Sequence, residues 1–318
     1  MFDIRPPTLQ YWYKNYISDY FPDIDSNKWC SHKIESVSNT TGEVKEKPVY
    51  VLKEENLGAN MSIDDKSIAH SGFTILSNND TEKIAMLVES TKAAEVENAM
   101  EQFGKKLNII ENISMDMSPT YALVCNNLIP QATQIIDKFH VIQYAYDAVS
   151  DVRKRIKKEL TSTLTKGKKK TEKDKQTLSE IEQLRRIRHA ITQSPDKWSE
   201  SMTNTVNQAF EKYNDLKIAY QISQTFKSWY DYKNHSKSRI QITKQLHQWY
   251  QQAKHVKEFE SVIKMIRKHE NEIINFFKNG ITNAKAERLN GKIERFIANN
   301  YGIKNKDFSL YRIAKYFS

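Results

Sequence analysis

The chain predicts a mixed α/β fold: a mixed sheet flanked by helices, with a large all-helical insertion before the last helix of the core. Three observations carry this. Short β-like runs come first, around residues 61–64, 73–76 and 83–88, with a turn at Asn78-Asn79-Asp80. Strand and helix patterns then alternate to about residue 150. From about 150 to 278 strand patterns vanish, and Glu, Lys, Gln, Ile and Leu at helical spacing replace them. Four segments follow: 1–55 as a helical lead and β-hairpin, 56–150 as the first part of the core, 151–278 as the helical insertion, and 279–318 as a C-terminal helix completing the core.

Leu9, Trp12, Tyr13 and Tyr16 predict a short helix, broken at Phe21-Pro22-Asp23. Residues 33–52 read as a hairpin with Asn39-Thr40-Thr41-Gly42 as its turn. Val96, Ala99, Met100 and Phe103 switch to helical period over 92–105. A further strand is expected from Asn108 through Met115, running into Asp116. Ser118-Pro119 then signals a helix start, since a serine hydroxyl can cap free N–H groups and proline suits the first helical position. A short strand from Thr133 to Asp137 leads into a helix marked by Val141, Ala145, Ala148 and Val152. The order is three strands, helix, strand, helix, strand, helix. The first three strands are expected to pair antiparallel and the later ones parallel, which is the order of a ribonuclease-H-like core.

The formal charge of +10 over 318 residues favours an anionic partner such as nucleic acid. Usage rich in Lys, Asn, Ile and Tyr also arises from AT-rich coding, so basicity is mild support. Two cysteines, Cys30 and Cys125, exclude a disulfide framework and point to a reducing compartment. Cys30 with His32 is half a metal site at best, and the ordinary reading is incidental spacing. With no run of 18 apolar residues and no signal-peptide pattern, a soluble cytoplasmic protein, without a membrane partner, is expected. Trp229-Tyr230 and Trp249-Tyr250 read as core anchors before they read as base-stacking platforms. The Lys168-Lys169-Lys170 run reads as an exposed loop between helices.

The residues that point to chemistry are acidic. Asp64 lies on the first core strand, Asp116 ends the fourth, and Glu287 stands on a late helix. At helical spacing Asn283, Glu287 and Asn290 share a face, with Arg288, Lys292 and Arg295 as a cationic stripe beside it. The bland reading is a solvated, salt-bridged helix. Asp65 competes with Asp64, and strand alternation allows only one of the two to face a given site; Asp64 is preferred.

Ser-Met-Asp-Met-Ser-Pro-Thr-Tyr at 114–121 resembles the second-aspartate motif of DDE transposases of the ISL group of bacterial insertion sequences. Asp137-Lys138-Phe139-His140-Val141 is similar to the motif that follows in that group. Residues 283–293, then Tyr301-Gly302-Ile303-Lys304-Asn305 with Phe308 and Arg312, resemble its closing glutamate motif. The resemblance spans about residues 60–312. It implies a ribonuclease-H-like catalytic domain whose Asp64, Asp116 and Glu287 hold two Mg²⁺ or Mn²⁺ ions, as hard oxygen ligands favour. Such ions, about 4 Å apart, support phosphodiester cleavage and strand transfer.

Asp137 and His140, with Asn283 and Asn290, are candidates for supporting the site. For Asp137 and His140 the equal alternative is local capping and packing. Arg288, Lys292 and Arg295 are candidates for DNA phosphate contact. The implied partners are the ends of an insertion sequence and its target DNA, met by a homo-oligomer that joins the nucleoid when bound. Family members often carry an N-terminal zinc segment and a helix-turn-helix. This sequence starts too close to its core to contain both, so end recognition is expected from a separate small DNA-recognition protein or, in part, from the basic helical insertion. The competing readings are a stand-alone nuclease of the same fold and a catalytically silent DNA-binding derivative.

Overall fold

The computed structural model describes residues 5–18, 20, 30, 32–37, 42–165, 171–231, 234, 236–279, 284–300, 302–303 and 305–318. The chain divides into two compact units, residues 1–137 with 281–318, and residues 138–280.

The first unit begins with α1 (Pro6–Trp12), continued by a wider π-type turn over Tyr13–Ile17. Seven strands follow: β1 (His32–Val37), β2 (Val44–Leu52), β3 (Asn60–Ile68), β4 (Ser71–Asn78), β5 (Lys83–Val88), β6 (Asn112–Met115) and β7 (Thr133–Ile136). Helix α2 (Ala93–Glu101) precedes β6, and α3 (Pro119–Leu128) precedes β7. They form one sheet in the order β1-β2-β5-β4-β3-β6-β7. Every pairing from β1 to β3 is antiparallel, and β3–β6 and β6–β7 are parallel.

Local chemistry explains the connections. Between β3 and β4, Ala69 and His70 both take positive φ, +51° and +65°, the pattern of a two-residue hairpin turn whose twist suits its strands. Between β4 and β5, Asn78 Oδ1 accepts from the N–H groups of Asp80 (2.7 Å) and Thr81 (3.2 Å). The predicted 39–42 turn lies outside the described residues except for Gly42, whose φ is +68°. The Phe21-Pro22-Asp23 and Lys168-Lys169-Lys170 segments lie outside them as well.

Two expectations need correction. The run 108–110 is not strand: residues Gly104–Ile109 form a 3₁₀ turn, with Leu107 buried and Ile109 half exposed, and β6 starts only at Asn112. The chain must reverse between α2 and β6, and the tighter helix makes that reversal. Ser118 does occupy the position before α3, yet its hydroxyl makes no capping bond. Instead Asp116 Oδ1 accepts the Ser118 N–H at 2.8 Å, so the aspartate side chain shapes the turn.

The sheet is buried on both faces. On one, Met61, Ile63, Leu76, Met86 and Val88 pack with Val96, Ala99, Met100, Tyr121 and Val124 of α2 and α3. After the second unit the chain returns to cover the opposite face, and its two helices bury Leu289, Ile293, Leu310 and Ile313 against Ile68, Phe73, Ile75, Ile84 and Leu87. Ser62 and Ser114 hydroxyls meet at 2.6 Å, and Ser62 also donates to Asn79 Oδ1 at 2.7 Å, which fastens β6 to β3 and to the β4–β5 turn.

Among its described residues the second unit holds helices joined by turns and no strand: α4 (Lys138–Ser162), α5 (Glu172–Arg186), α6 (Glu200–Lys212), α7 (Asn214–Trp229), α8 (Arg239–Ala253), α9 (Glu260–Lys268) and α10 (Glu270–Asn279). Helix α4 runs without a break through residue 150 and buries Val141, Ala145, Val149, Val152 and Ile156 on one stripe. Phe226, Trp229, Tyr230, Trp249 and Phe277 form an aromatic core. Both indoles are buried with their N–H groups satisfied, Trp229 by Ile242 O (3.2 Å) and Trp249 by Ile222 O (3.0 Å). They are core anchors, as their spacing suggested. The two returning helices of the first unit are α11 (Ala284–Asn299) and α12 (Lys306–Phe317).

Candidate active site

Parallel register sets out the acidic residues. Ile63 pairs with Met115, and Met115 with Ile136. Asp64, Asp116 and Asp137 are each the next residue along β3, β6 and β7, so three neighbouring strands carry an aspartate at the same level. Past that level β3 continues, paired only with β4. Asp64 and Asp116 are half-buried; Asp137 is buried, and its N–H donates to Met115 O at 2.9 Å.

Alternation along β3 separates Asp64 from Asp65. Met61 and Ile63 belong to the α2–α3 face, and Ile68 to the α11–α12 face. Asp64 and Lys66 share the parity of Ile68 and turn toward α11, whereas Asp65 has the parity of Ile63. Two contacts agree. Asn290 Nδ2 on α11 donates to Asp64 Oδ2 at 2.8 Å, and Lys66 pairs with Glu294 one turn further on. Asp64 Oδ1 also accepts the Asp65 N–H at 2.9 Å, leaving the carboxylate braced at both oxygens.

Helix α11 has three sides. Ala286, Leu289 and Ile293 are buried in the core. Glu287, Asn290 and Glu294 follow at three- and four-residue steps along one flank, and Glu287 itself is exposed in the first turn. On the other flank Arg288 and Lys292 both hold Glu82 of the β4–β5 turn, at 2.9 and 2.5 Å. These bonds, that of Lys292 first, hold the Glu82 carboxyl below its ordinary range. Arg295 is exposed and its Nε–H donates to Gly291 O at 3.3 Å. The cationic stripe is therefore partly neutralised within the fold. Asn283 lies outside the described residues, and His140 belongs to the second unit, its ring edge-on to Phe139 at 5.8 Å.

Sequence reading passed over Tyr121. It is buried on α3, with its hydroxyl 3.3 Å from Thr74 Oγ1, which in turn donates to Ser90 O at 2.6 Å. Burial pushes the phenol well above its ordinary range; the Thr74 bond opposes it, and the negative charges of Asp65, Asp116 and Asp64 add smaller upward effects. It is a neutral phenol beside the aspartates. Glu82 was also missed, because only the fold brings it to Arg288.

At these strand ends the donors are carboxylate oxygens, and that set suits a hard divalent cation. Among the described residues no three His, Cys, Asp or Glu side chains are drawn together closely enough to hold a metal ion. Cys30 and Cys125 supply no alternative: burial pushes both thiols up to about 12, with Asp307 adding to the effect at Cys30. A thiolate is what a soft site requires.

The sequence profile of a transposase family matches residues 61–313. This chain belongs to the DDE transposases of the ISL3 group. No curated protein and no solved structure matches it. Enzymes of this family cut and join DNA. The matched span of this transposase opens at Met61 on β3 and closes at Ile313 on α12, so it takes in all three strand-end aspartates and α11. The closing motif also builds the α11–α12 corner. Asn305 Oδ1 caps α12 by accepting the Phe308 N–H at 2.8 Å, and Arg312 binds Asn300 Oδ1 at 2.7 Å with its guanidinium 4.7 Å from the Phe296 ring. No described helix is long and apolar enough to cross a membrane.

Proposed function

We propose that this transposase cleaves and joins the DNA ends of its element at a site formed by Asp64, Asp116 and Glu287, on a ribonuclease-H-like core interrupted by the helices of residues 138–280. The observation carrying this reading is the Asn290–Asp64 bond. It ties the helix that bears Glu287 to the strand whose aspartate stands level with Asp116.

Asp64, Asp116 and Glu287 would hold the divalent ions, Mg²⁺ or Mn²⁺. Bound there, such ions activate an attacking hydroxyl and stabilise the departing oxygen of an in-line displacement. The chain's own residues have distinct tasks. Asn290 fixes the rotamer of Asp64. The Asp116 side chain is oriented by the Ser118 N–H. Asp137 supports Asp116 from the neighbouring strand, and Tyr121, held as a neutral phenol, adds no charge that the ions must offset. Arg288 and Lys292 exchange Glu82 for DNA phosphates on binding, and Arg295 extends that contact. Asn283, next to α11 in sequence, is a further candidate for orienting phosphate. Two protomers at paired ends, and a separate end-recognition protein, complete the proposed assembly.

The test is a plasmid carrying the element's terminal repeats, incubated with Mg²⁺ and the Asp64→Asn, Asp116→Asn and Glu287→Gln variants. Cleavage and joining are expected to fall below detection in each, with DNA binding retained. Unchanged cleavage in any one variant removes that residue from the site. Activity of Asp65→Asn should persist.

A further inference from the structure

Two cations of the first unit, Lys14 and Arg312, converge on one cleft. The cleft, of about 280 Å³, lies between α1 and the α11–α12 corner and is bordered by Tyr11, Lys14, Asn300, Asn305, Ser309 and Arg312. Among the described residues no acidic side chain lines it. Among the described residues neither Lys14 nor Arg312 has a carboxylate partner. Lys14 Nζ sits over the Tyr20 and Phe308 rings at 5.8 and 6.0 Å, and the Arg312 guanidinium stacks over Phe296. This differs from the α11 stripe, where Glu82 already occupies both Arg288 and Lys292.

Exposed aromatic rings stand on the same stretch of helix, and one of them, Tyr11, lines the cleft. Tyr11, Trp12 and Tyr16 on α1 and its continuation are 58%, 42% and 73% exposed. A large ring left in water in a cleft with two cations suits a base and a phosphate of unpaired nucleic acid. Size narrows the choice. The cavity lies near the lower end of small-ligand sites, about 300 Å³, whereas the major groove of duplex DNA is about 12 Å wide and receives a protruding helix rather than filling a cleft.

We propose that the cleft between α1 and the α11–α12 corner holds one unpaired nucleotide of the DNA substrate, its phosphate against Lys14 and Arg312 and its base against the exposed ring of Tyr11. The proposal rests on the DNA-processing reading above but uses none of its carboxylates. Strand cleavage leaves single-stranded or frayed ends, and such a cleft would retain one near the core.

Fluorescence anisotropy with a labelled short oligothymidylate and with a blunt duplex of equal length tests this, using full-length protein whose folding is checked by circular dichroism. Tyr11→Ala and Lys14→Glu, both at exposed or half-exposed positions, should each weaken oligothymidylate binding about ten-fold or more, with less than about two-fold change on the duplex. Arg312→Lys keeps the charge but loses the planar fork, and should give an intermediate loss. Lys14→Glu should also reduce the salt slope by about one. Equal losses on both DNAs, or no loss in folded variants, would overturn the proposal. So would thermal stabilisation by inorganic phosphate that needs Lys14, with no oligothymidylate bound. The Asp64→Asn variant should bind the oligothymidylate like the parent, so failure of the carboxylate assignment and failure of the cleft are told apart.

Discussion

At Asp64 one hydrogen bond decides how a strand residue and a distant helix residue act together. Asn290 donates to it from 226 positions away, a neutral contact that orients the carboxylate without competing for its charge. Asn290→Ala should therefore lower cleavage about 10- to 100-fold, the usual cost of losing a support to a ligand, while DNA binding measured by mobility shift stays unchanged. Asn290→Asp, which places like charge against Asp64, should cost more. A cleavage rate equal to the parent's in Asn290→Ala would remove the amide from its positioning role. Strand parity in the sequence already puts Asp64 and Asp65 on opposite faces, because period-two alternation is local. The Asn290 bond, and the Glu82 ion pairs of Arg288 and Lys292, were not legible there. They join residues some 200 positions apart, and no spacing rule in the chain connects them.

Among the elements, α2 shows how an edge hairpin is fastened. Glu95 is buried, yet it accepts bonds from Ser36 on β1 (2.8 Å) and Lys47 on β2 (2.8 Å) and pairs with Lys92 at 3.2 Å. Burial alone would raise its carboxyl; the bonds from Lys47, Ser90, Ser36 and Lys92 outweigh that and hold it at about 2. A carboxyl depressed in the fold stabilises it above the unfolded value, near 4.3, and loses that contribution as pH falls toward 2. Urea titrations between pH 6 and 2.5 should show stability declining through this window, and Glu95→Gln should flatten the decline while lowering stability at neutral pH. A slope unchanged in Glu95→Gln would place the acid sensitivity elsewhere. The elements themselves were well marked in the sequence where alternation and turn residues coincide, as at β4, the Asn78 turn and β5. They were obscured where a non-glycine takes positive φ, as at Ala69 and His70, or where apolar residues form a 3₁₀ turn, as around Leu107 and Ile109.

For the whole molecule, the excess of 49 Lys and Arg over 39 Asp and Glu is tempered by internal pairing. Arg155 alone engages Glu159, Asp215 and Glu258. Affinity for duplex DNA should therefore follow the unpaired cations and fall steeply between about 50 and 200 mM salt, linearly in the logarithms. Binding to a non-cognate duplex that is insensitive to salt would show that charge is not its source. Strand patterns stop altogether after about residue 150 in the sequence. Helix α4 starts directly after Asp137 and carries one apolar stripe on both sides of residue 150, so hydrophobic spacing marks no boundary within it.

The covalent order of these pieces has a consequence during synthesis. The strands bearing Asp64 and Asp116 leave the ribosome first, and the helix with Glu287 and Asn290 follows only after the whole second unit. A partly made chain, tethered by its message close to the gene that encodes it, thus carries two of the proposed ligands and lacks the third together with the amide that braces the first. If cleavage needs all three proposed ligands, a nascent polypeptide is a harmless neighbour to its own template, and the capacity to break DNA arrives late in translation.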